Sequence, residues 1–421
     1  MKRNTAKGPH TGFRFMKTEP ITNPHTWLSR AETAITHGAL TNSKRPSCFV
    51  KGVYPTHLSR GMGGHVWDSD GKRYVDFICG LGSNLFGYGN SDISAAVIGK
   101  ARDGFTLSLS STLEVEAAEA VKTAFPMIES LRFLKTGSDA CTAALRIARA
   151  YTGRGMVLSE GYHGWHNEFV SLTPPALGIS DMHYIEKFTN PEQITKNIAA
   201  VIIEPIITDW SEQRVEWLRA VRAKCTETGT VLVFDEMITG LRFPKLSVAL
   251  HYDIIPDLIC LGKAIGGGMP VSVIGGKRAV MECGEWFISS TFAGELLSLA
   301  ACKRALELAT TKFRVEHLWE SGKRFLAKFN GLYPENLRIE GYPTRGVFVG
   351  DETTKALFFQ EACKANILFG STWYLSYSHL DLLDQVLSTS RDIFLQIRAG
   401  EVKLEGEMPR SPFAQKMRES K

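Results

Sequence analysis

The residues of this chain best suited to chemistry lie in five short segments, each directly after an apolar run. They are Thr136-Gly137-Ser138-Asp139, Glu160-Gly161-Tyr162-His163-Gly164, Glu204-Pro205, Asp235-Glu236 and Gly262-Lys263. Lys263 closes Leu258-Ile259-Cys260-Leu261-Gly262 and precedes Ala264-Ile265-Gly266-Gly267-Gly268. A lysine so near a buried strand and a flexible glycine run is poorly explained by solubility. Partly desolvated, its amine loses proton affinity and becomes a nucleophile able to form a Schiff base. Asp235 ends Val231-Leu232-Val233-Phe234. A carboxylate there needs a cationic or hydrogen-bonding partner, and either a protonated ring nitrogen of a cofactor or a structural arginine would serve. Glu236 beside it faces outward or reaches a loop. Thr136–Asp139 stands between a strand and a helix whose first amides are free. Those N–H groups and the positive end of the helix dipole suit a phosphate, and the same residues also suit a plain helix cap. Tyr162, set with His163 between two glycines, is either an exposed plate for a planar heterocycle or a packed loop aromatic.

These segments need a common scaffold. Strand-like runs occur at Leu131–Leu134, Met156–Leu158, Ala199–Glu204, Val231–Asp235, Asp257–Leu261 and Val271–Gly275. Helical periodicity occurs at Ser91–Thr106, Leu113–Phe125, Asp139–Tyr151, Trp217–Thr228 and Gly294–Thr310. Continuously apolar strands alternating with helices indicate an α/β fold, a mainly parallel sheet covered on both faces. In such a sheet, ligands collect beyond the carboxyl ends of the strands, where the five segments fall. A hairpin is expected around Asp68-Ser69-Asp70-Gly71. Leu337–Glu340, Gly346–Val349 and helices at Thr354–Ala365 and Leu380–Ile397 suggest a smaller C-terminal α+β domain. The expected division is an arm with a segment of the small domain (1–64), a large domain (65–310), the small domain (311–400) and a frayed polar tail (401–421).

The order GSDA, EGYHG, IIEP, FDEMITGLR, LGKAIGGGMP and STFAGE resembles fold-type I pyridoxal-phosphate enzymes. More narrowly it resembles the class III aminotransferases and their subgroup containing glutamate-1-semialdehyde aminomutase, over roughly residues 30–395. The resemblance implies a large domain with a mainly parallel seven-stranded sheet and pyridoxal 5'-phosphate as cofactor. It gives Lys263 the Schiff base and proton shuttle, Asp235 the pyridinium nitrogen and Tyr162 the ring face. Gly137, Ser138 and Asp139 would bind the phosphate, with His163 and Glu204 also near the cofactor. Thr291 resembles the family threonine that reaches the neighbouring subunit's phosphate, so a homodimer with shared sites is implied. The implied reaction is ping-pong amino transfer from a small-molecule donor to a keto or aldehyde acceptor. The alternatives are intramolecular aminomutase chemistry and a cofactor-binding protein without turnover.

Substrate residues are less determined. Where the aminomutase has an arginine before its KGV segment, this chain has Cys48, with Arg45 three residues earlier. Cysteine is no substitute for an arginine fork, which favours intermolecular transfer. The segment Cys79–Gly87 departs from the aminomutase version. Ser83 and Asn84 are candidate substrate contacts, and Leu85 and Phe86 would line an open pocket edge. Arg345 reads as a donor-carboxylate ligand or a surface ion pair. The aromatic run Trp373–His379 reads as a core strand or a wall against a bulky acceptor.

Composition excludes other classes. The 421 residues are 44% hydrophobic and 22% charged, enough for a large core. A net charge of +5 over this length gives no nucleic-acid footprint. Apolar runs such as Ala199–Ile203 fall far short of the ~18 residues that span a bilayer, and the start lacks a secretory apolar stretch. A cytoplasmic protein is expected, with its eight scattered cysteines reduced and mostly in the core.

Overall fold

In a computed structural model, which describes residues 25–169, 185–285, 287–333 and 335–411, the apolar runs pair into three sheets. β1 (Leu58–Met62), β2 (His65–Asp68) and β3 (Arg73–Asp76) form an antiparallel meander. The second sheet comprises β4 (Ser130–Leu134), β5 (Met156–Glu160), β6 (Ile185–Lys187), β7 (Ile198–Ile203), β8 (Val231–Asp235), β9 (Leu258–Leu261) and β10 (Ser272–Gly276). Its order is β4-β10-β9-β8-β7-β5-β6, parallel from β6 to β9, with β10 antiparallel to both neighbours. This is the mainly parallel seven-stranded sheet expected. β11 (Leu337–Tyr342) and β12 (Arg345–Gly350) pair antiparallel. β13 (Ile367–Leu368) joins β3 in parallel, and β14 (Thr372–Tyr374) completes the sheet β11-β12-β14. Residues 58–76 therefore share a sheet with the C-terminal part of the chain.

β7, β8 and β9 are buried along their whole length, which is why they read as unbroken apolar runs rather than alternating ones. Alternate residues serve opposite layers. Ile202, Val233 and Cys260 pack with the helix Gly137–Thr152, while Val201, Leu232 and Phe234 pack with the helix Glu212–Thr228. With both faces covered, the open positions are the strand ends, and the loops there carry the site.

Two helices bind the smaller sheet. Val315–Asn330 sets Leu318, Trp319, Phe325 and Phe329 on one buried face, and Leu383–Arg398 packs beside it. Trp373 is fully buried, stacked on Phe325 at 5.3 Å and 3°. The aromatic run is therefore core, its first two residues in β14 and Tyr377–His379 in a following 3-10 turn. Leu85 and Phe86 are buried too, with Phe86 against Phe313 and Tyr377. They belong to the core rather than to an open pocket edge.

The tail is not frayed where it is described. The Glu407 amide donates to Lys51 O at 2.9 Å, the Arg410 amide to Ser47 O at 2.7 Å, and the Glu405 amide to Gln360 Oε1 at 2.8 Å. Backbone pairing anchors this charged stretch, and composition does not register such pairing. Residues 1–24 of the expected N-terminal arm segment (1–64), and residues 412–421, lie outside the described residues. All eight cysteines are free and six are buried, as expected. Among the described residues no helix is long and apolar enough to cross a membrane.

Candidate active site

Asp235 stands at the carboxyl end of β8, almost wholly buried. Its Oδ2 accepts from His163 Nδ1 at 2.8 Å and from the Cys141 thiol at 3.4 Å, and its Oδ1 accepts from the Met237 amide at 3.0 Å. Burial alone would raise this carboxyl. The hydrogen bond and charge of His163, then the charge of Lys263, outweigh burial and hold it below the usual carboxylate range. Burial opposes a charged His163, but its hydrogen bond to Asp235 prevails and pushes the imidazole up to about 10. The other ring nitrogen, Nε2, faces Glu160 O at 3.0 Å. The pair is thus a buried ionised carboxylate with its own cation.

Glu204 follows β7, and its Oε1 accepts the Tyr162 amide at 2.8 Å. Burial, then the Asp235 charge, raises its carboxyl above the usual value. Gly161 permits this approach: at φ +111, an added Cβ would lie 2.8 Å from Glu204 Oε1. The Tyr162 ring is left 49% exposed, open on one side.

Lys263 follows β9 in the left-handed region, φ +45, a conformation costing a non-glycine residue about 1–3 kcal/mol. It is half-buried, and its charge is felt at both Asp235 and Glu204. Its turn abuts the candidate substrate loop, since a Cβ on Gly268 would lie 2.8 Å from Asn84 Oδ1.

The phosphate-type turn precedes the helix Gly137–Thr152. Thr136 Oγ1 accepts the Asp139 amide at 3.2 Å, and Asp139 Oδ2 accepts the Thr136 amide at 2.8 Å. The turn is therefore a capping box. The Asp139 amide is committed to the cap, whereas the Gly137 and Ser138 amides have no partner among the described residues. The Trp165 amide reaches Ser138 Oγ at 3.4 Å, pressing the Tyr162 loop onto this turn.

The structure brings Gly137, Ser138, Tyr162, His163, Glu204, Asp235 and Lys263 to the carboxyl ends of the sheet's strands. Thr291 is exposed at the start of a turn with Phe292, and Phe287, four residues before Thr291, is exposed as well. Ser83 Oγ donates to Gly80 O at 2.9 Å, and Asn84 Nδ2 to Cys79 O at 3.3 Å, so both polar groups stabilise their own turn. The Cys48 thiol donates to Asn42 O, and Arg45 Nε is buried without a partner. Among the described residues Arg345 forms no surface ion pair. It is buried at the start of β12, with Nη1 donating to Ile207 O and Nε unpartnered.

Several residues escape a reading by segment. Cys141 lies four positions after Gly137 on one helix, and that spacing places both on the face turned toward Asp235. Met237 sits between the phosphate turn and the lysine loop: its sulfur would lie 3.1 Å from a Cβ on Gly137 and 2.5 Å from one on Gly262. Glu236 faces inward and caps a short helix, accepting the Val248 and Ala249 amides and the Thr239 hydroxyl. Burial pushes its carboxyl up to about 7 despite these donors. Arg242 is a fully buried cation whose guanidinium donates to Gly82 O, Thr344 O and Leu375 O. An arginine inside the apolar stretch Gly240-Leu241-Arg242-Phe243 was the available signal.

Comparison with known proteins gives a consistent result. The aminotransferase class-III family model matches residues 50–184 and 180–368. The glutamate-1-semialdehyde 2,1-aminomutase of Natronomonas pharaonis is 36% identical over 298 residues, covering 64% of this chain and 67% of that protein. Among solved structures, the internal-aldimine form of the Sphingopyxis FumI protein, which holds pyridoxal phosphate, aligns with a TM-score of 0.83 at 24% identity. That alignment covers 92% of this chain and 98% of the other. An omega-transaminase from Sphaerobacter thermophilus aligns with a TM-score of 0.79 at 22% identity, covering 90% and 99%. At these identities the structural likeness speaks for the fold.

Proposed function

The chain belongs to the class-III aminotransferases, a family of pyridoxal-phosphate enzymes, and from that premise we propose that it transfers an amino group between two separate small molecules, a donor and a keto or aldehyde acceptor. The observation that carries the proposal is the His163–Asp235 pair within the electrostatic reach of Lys263. The donor set suits the cofactor. An ionised buried carboxylate matches a protonated ring nitrogen, two unpartnered amides at a helix start match a phosphate, and a half-exposed tyrosine ring matches a planar face.

When bound, pyridoxal phosphate supplies a conjugated ring that accepts the electron pair left when a C–H bond beside nitrogen breaks. The chain supplies the rest. Lys263 Nζ would hold the cofactor and, once the donor amine takes its place, would serve as the base that removes the proton from the amine-bearing carbon in the first half-reaction and supplies one to the corresponding carbon of the acceptor in the second. Asp235 keeps a proton on the ring nitrogen, and the His163 cation keeps Asp235 ionised for that purpose. The Gly137 and Ser138 amides and the Ser138 hydroxyl anchor the phosphate. Glu204 holds the Tyr162 backbone so that the ring covers one face. The two half-reactions run in turn, which makes the kinetics ping-pong. A homodimer in which Thr291 reaches the partner's phosphate completes the reading, supported by the exposure of Thr291 and its aromatic neighbours.

A second reading, glutamate-1-semialdehyde 2,1-aminomutase, is supported by the named relative. Cys48 and its bond to Asn42 O weigh against it, because no arginine fork stands at that position. A donor and acceptor screen monitored through the cofactor's absorbance separates the readings, with glutamate-1-semialdehyde included. Intermolecular transfer is expected to give a band shift with an amino donor and its reversal with a keto acid. Conversion of glutamate-1-semialdehyde alone to 5-aminolevulinate would establish the second reading, and a spectrum unmoved by any substrate would leave a binding protein.

A further inference from the structure

Cys141 Sγ, His163 Nδ1 and Asp235 Oδ2 lie within 4.8 Å of one another, and all three residues are buried. Cofactor chemistry uses the carboxylate and its histidine, but it assigns nothing to the thiol. The geometry of the histidine is informative. Its Nε2 faces a backbone carbonyl, Glu160 O at 3.0 Å, which accepts an N–H there. Nδ1 is thereby turned toward Asp235 Oδ2 at 2.8 Å. A carbonyl behind one ring nitrogen, with the other aimed at a carboxylate and a thiol, is the outer-shell arrangement that orients a metal-ligating histidine.

We propose that the chain, when its cofactor is not seated, binds a borderline-soft divalent cation of the Zn2+ type through Cys141 Sγ, His163 Nδ1 and Asp235 Oδ2. One sulfur, one imidazole nitrogen and one carboxylate oxygen are a zinc-type donor set, and three protein ligands leave a fourth position for water. Magnesium and calcium, which need six or more oxygens, do not fit. Closing the triad around an ion requires changes in separation of at most roughly an ångström or slightly more, since bonds of ~2.0–2.3 Å to a tetrahedral centre separate ligand atoms by ~3–4 Å. The ion replaces two protons, one on the thiol and one on Nδ1, and both leave to solvent; no electron moves. Other buried carboxylates are committed elsewhere, Glu236 to two amides and a hydroxyl, and Asp257 to Arg222 and Lys277. Among the described residues no other group of three or more such side chains converges in this way.

The site has a consequence for the cofactor. A cation on Asp235 and a protonated ring nitrogen claim the same carboxylate, so the two exclude each other. This competition rests on the assignment of Asp235 made above; the metal site itself does not.

The test uses the full chain freed of cofactor. Titrated with Co2+, it is expected to bind one ion with an intense thiolate-to-cobalt band. Cys141→Ala should remove the band and weaken binding at least about a hundredfold, more than an outer-shell loss, while Cys283→Ala leaves both unchanged. Saturating Zn2+ should slow cofactor uptake, read by absorbance, at least tenfold, with recovery on adding a chelator. Cofactor uptake by Cys141→Ala and Cys141→Ser reports that these variants are folded. Absence of a thiolate band, or the same band in folded Cys141→Ala, overturns the metal site. An ion bound through Cys141 that leaves cofactor uptake unchanged overturns the competition and the assignment of Asp235, while the metal site stands.

Discussion

Asp235 illustrates how much a single residue type can promise and how much it leaves open. Its place after four apolar residues announced a buried carboxylate, and the choice between a ring nitrogen and a structural arginine could not be made from the strand alone. The structure supplies His163, one loop away in space and 72 residues away in sequence, and no local pattern links the two. The left-handed φ of Lys263 was equally hidden, since nothing about a lysine advertises such a backbone. A residue-scale prediction comes from His379, buried beside Phe77 with Nδ1 accepting the Ser376 amide at 3.2 Å. Burial lowers this imidazole to about 3. Between that value and the ordinary ~6.5 of the unfolded chain, only the unfolded state takes the proton, so stability falls as pH falls through that window. The expected slope is about 1.4 kcal/mol per pH unit below ~6.5. His163, pushed up to about 10, and Glu236, pushed up to about 7, hold more protons folded than unfolded in this range and oppose the loss, so the His379 contribution is read as a difference between variants. Between pH 6.5 and 5.5, urea unfolding should show the wild type losing about 1 kcal/mol relative to His379→Gln; the same change in both would assign the pH effect elsewhere.

At the scale of elements, the loop 160–165 and the helix start at Gly137 work as one unit. Gly164 has φ +106, and a Cβ there would lie 2.2 Å from Ser138 Oγ. Gly164→Ala must therefore strain the backbone and push the loop off the phosphate turn. We expect a loss of about 1–3 kcal/mol in stability and at least a tenfold weaker cofactor affinity, read by thermal melts and cofactor titration. Unchanged affinity would separate the loop from the phosphate site. The glycines around Tyr162 and after Lys263 were legible because glycines clustered beside apolar runs mark a sharp turn or a close backbone approach. The strands were legible too, since full burial on both faces leaves an unbroken apolar run. The helix Val315–Asn330 was not among the expected elements, although Val315, Leu318, Trp319, Phe325 and Phe329 carry its period. Polar residues between them break the run, and only the period of 3.6 reveals it. Cap and phosphate site at Thr136–Asp139 were posed as alternatives; the cap uses the Asp139 and Thr136 amides and leaves those of Gly137 and Ser138 without a partner among the described residues, so the two roles do not compete.

At the scale of the whole molecule, Arg242 ties three regions together. From the loop after β8 its guanidinium reaches Gly82 O at 2.8 Å and Leu375 O at 2.7 Å, and Thr344 Oγ1 returns a bond to Arg242 O at 2.8 Å. Arg242→Met leaves several buried carbonyls without donors, each worth about 1–3 kcal/mol. We expect a loss of at least about 3 kcal/mol in urea unfolding, with Arg242→Lys recovering only part of it, because an ammonium cannot span the same fork. A loss under 1 kcal/mol would deny the clasp. Domain-scale order of this kind is carried by contacts between distant segments, which is why the tail at Glu405–Arg410 was also misjudged from its composition. The claim that every level serves is that Lys263 performs the amino transfer. The most direct measurement is the rate of cofactor band change on adding an active amino donor to cofactor-loaded wild type and to Lys263→Ala, both shown by their melts to be folded. Positioned proton transfer contributes about 10²–10⁴-fold, so the variant should bind cofactor yet lose at least that factor; a wild-type rate in folded Lys263→Ala would contradict the account.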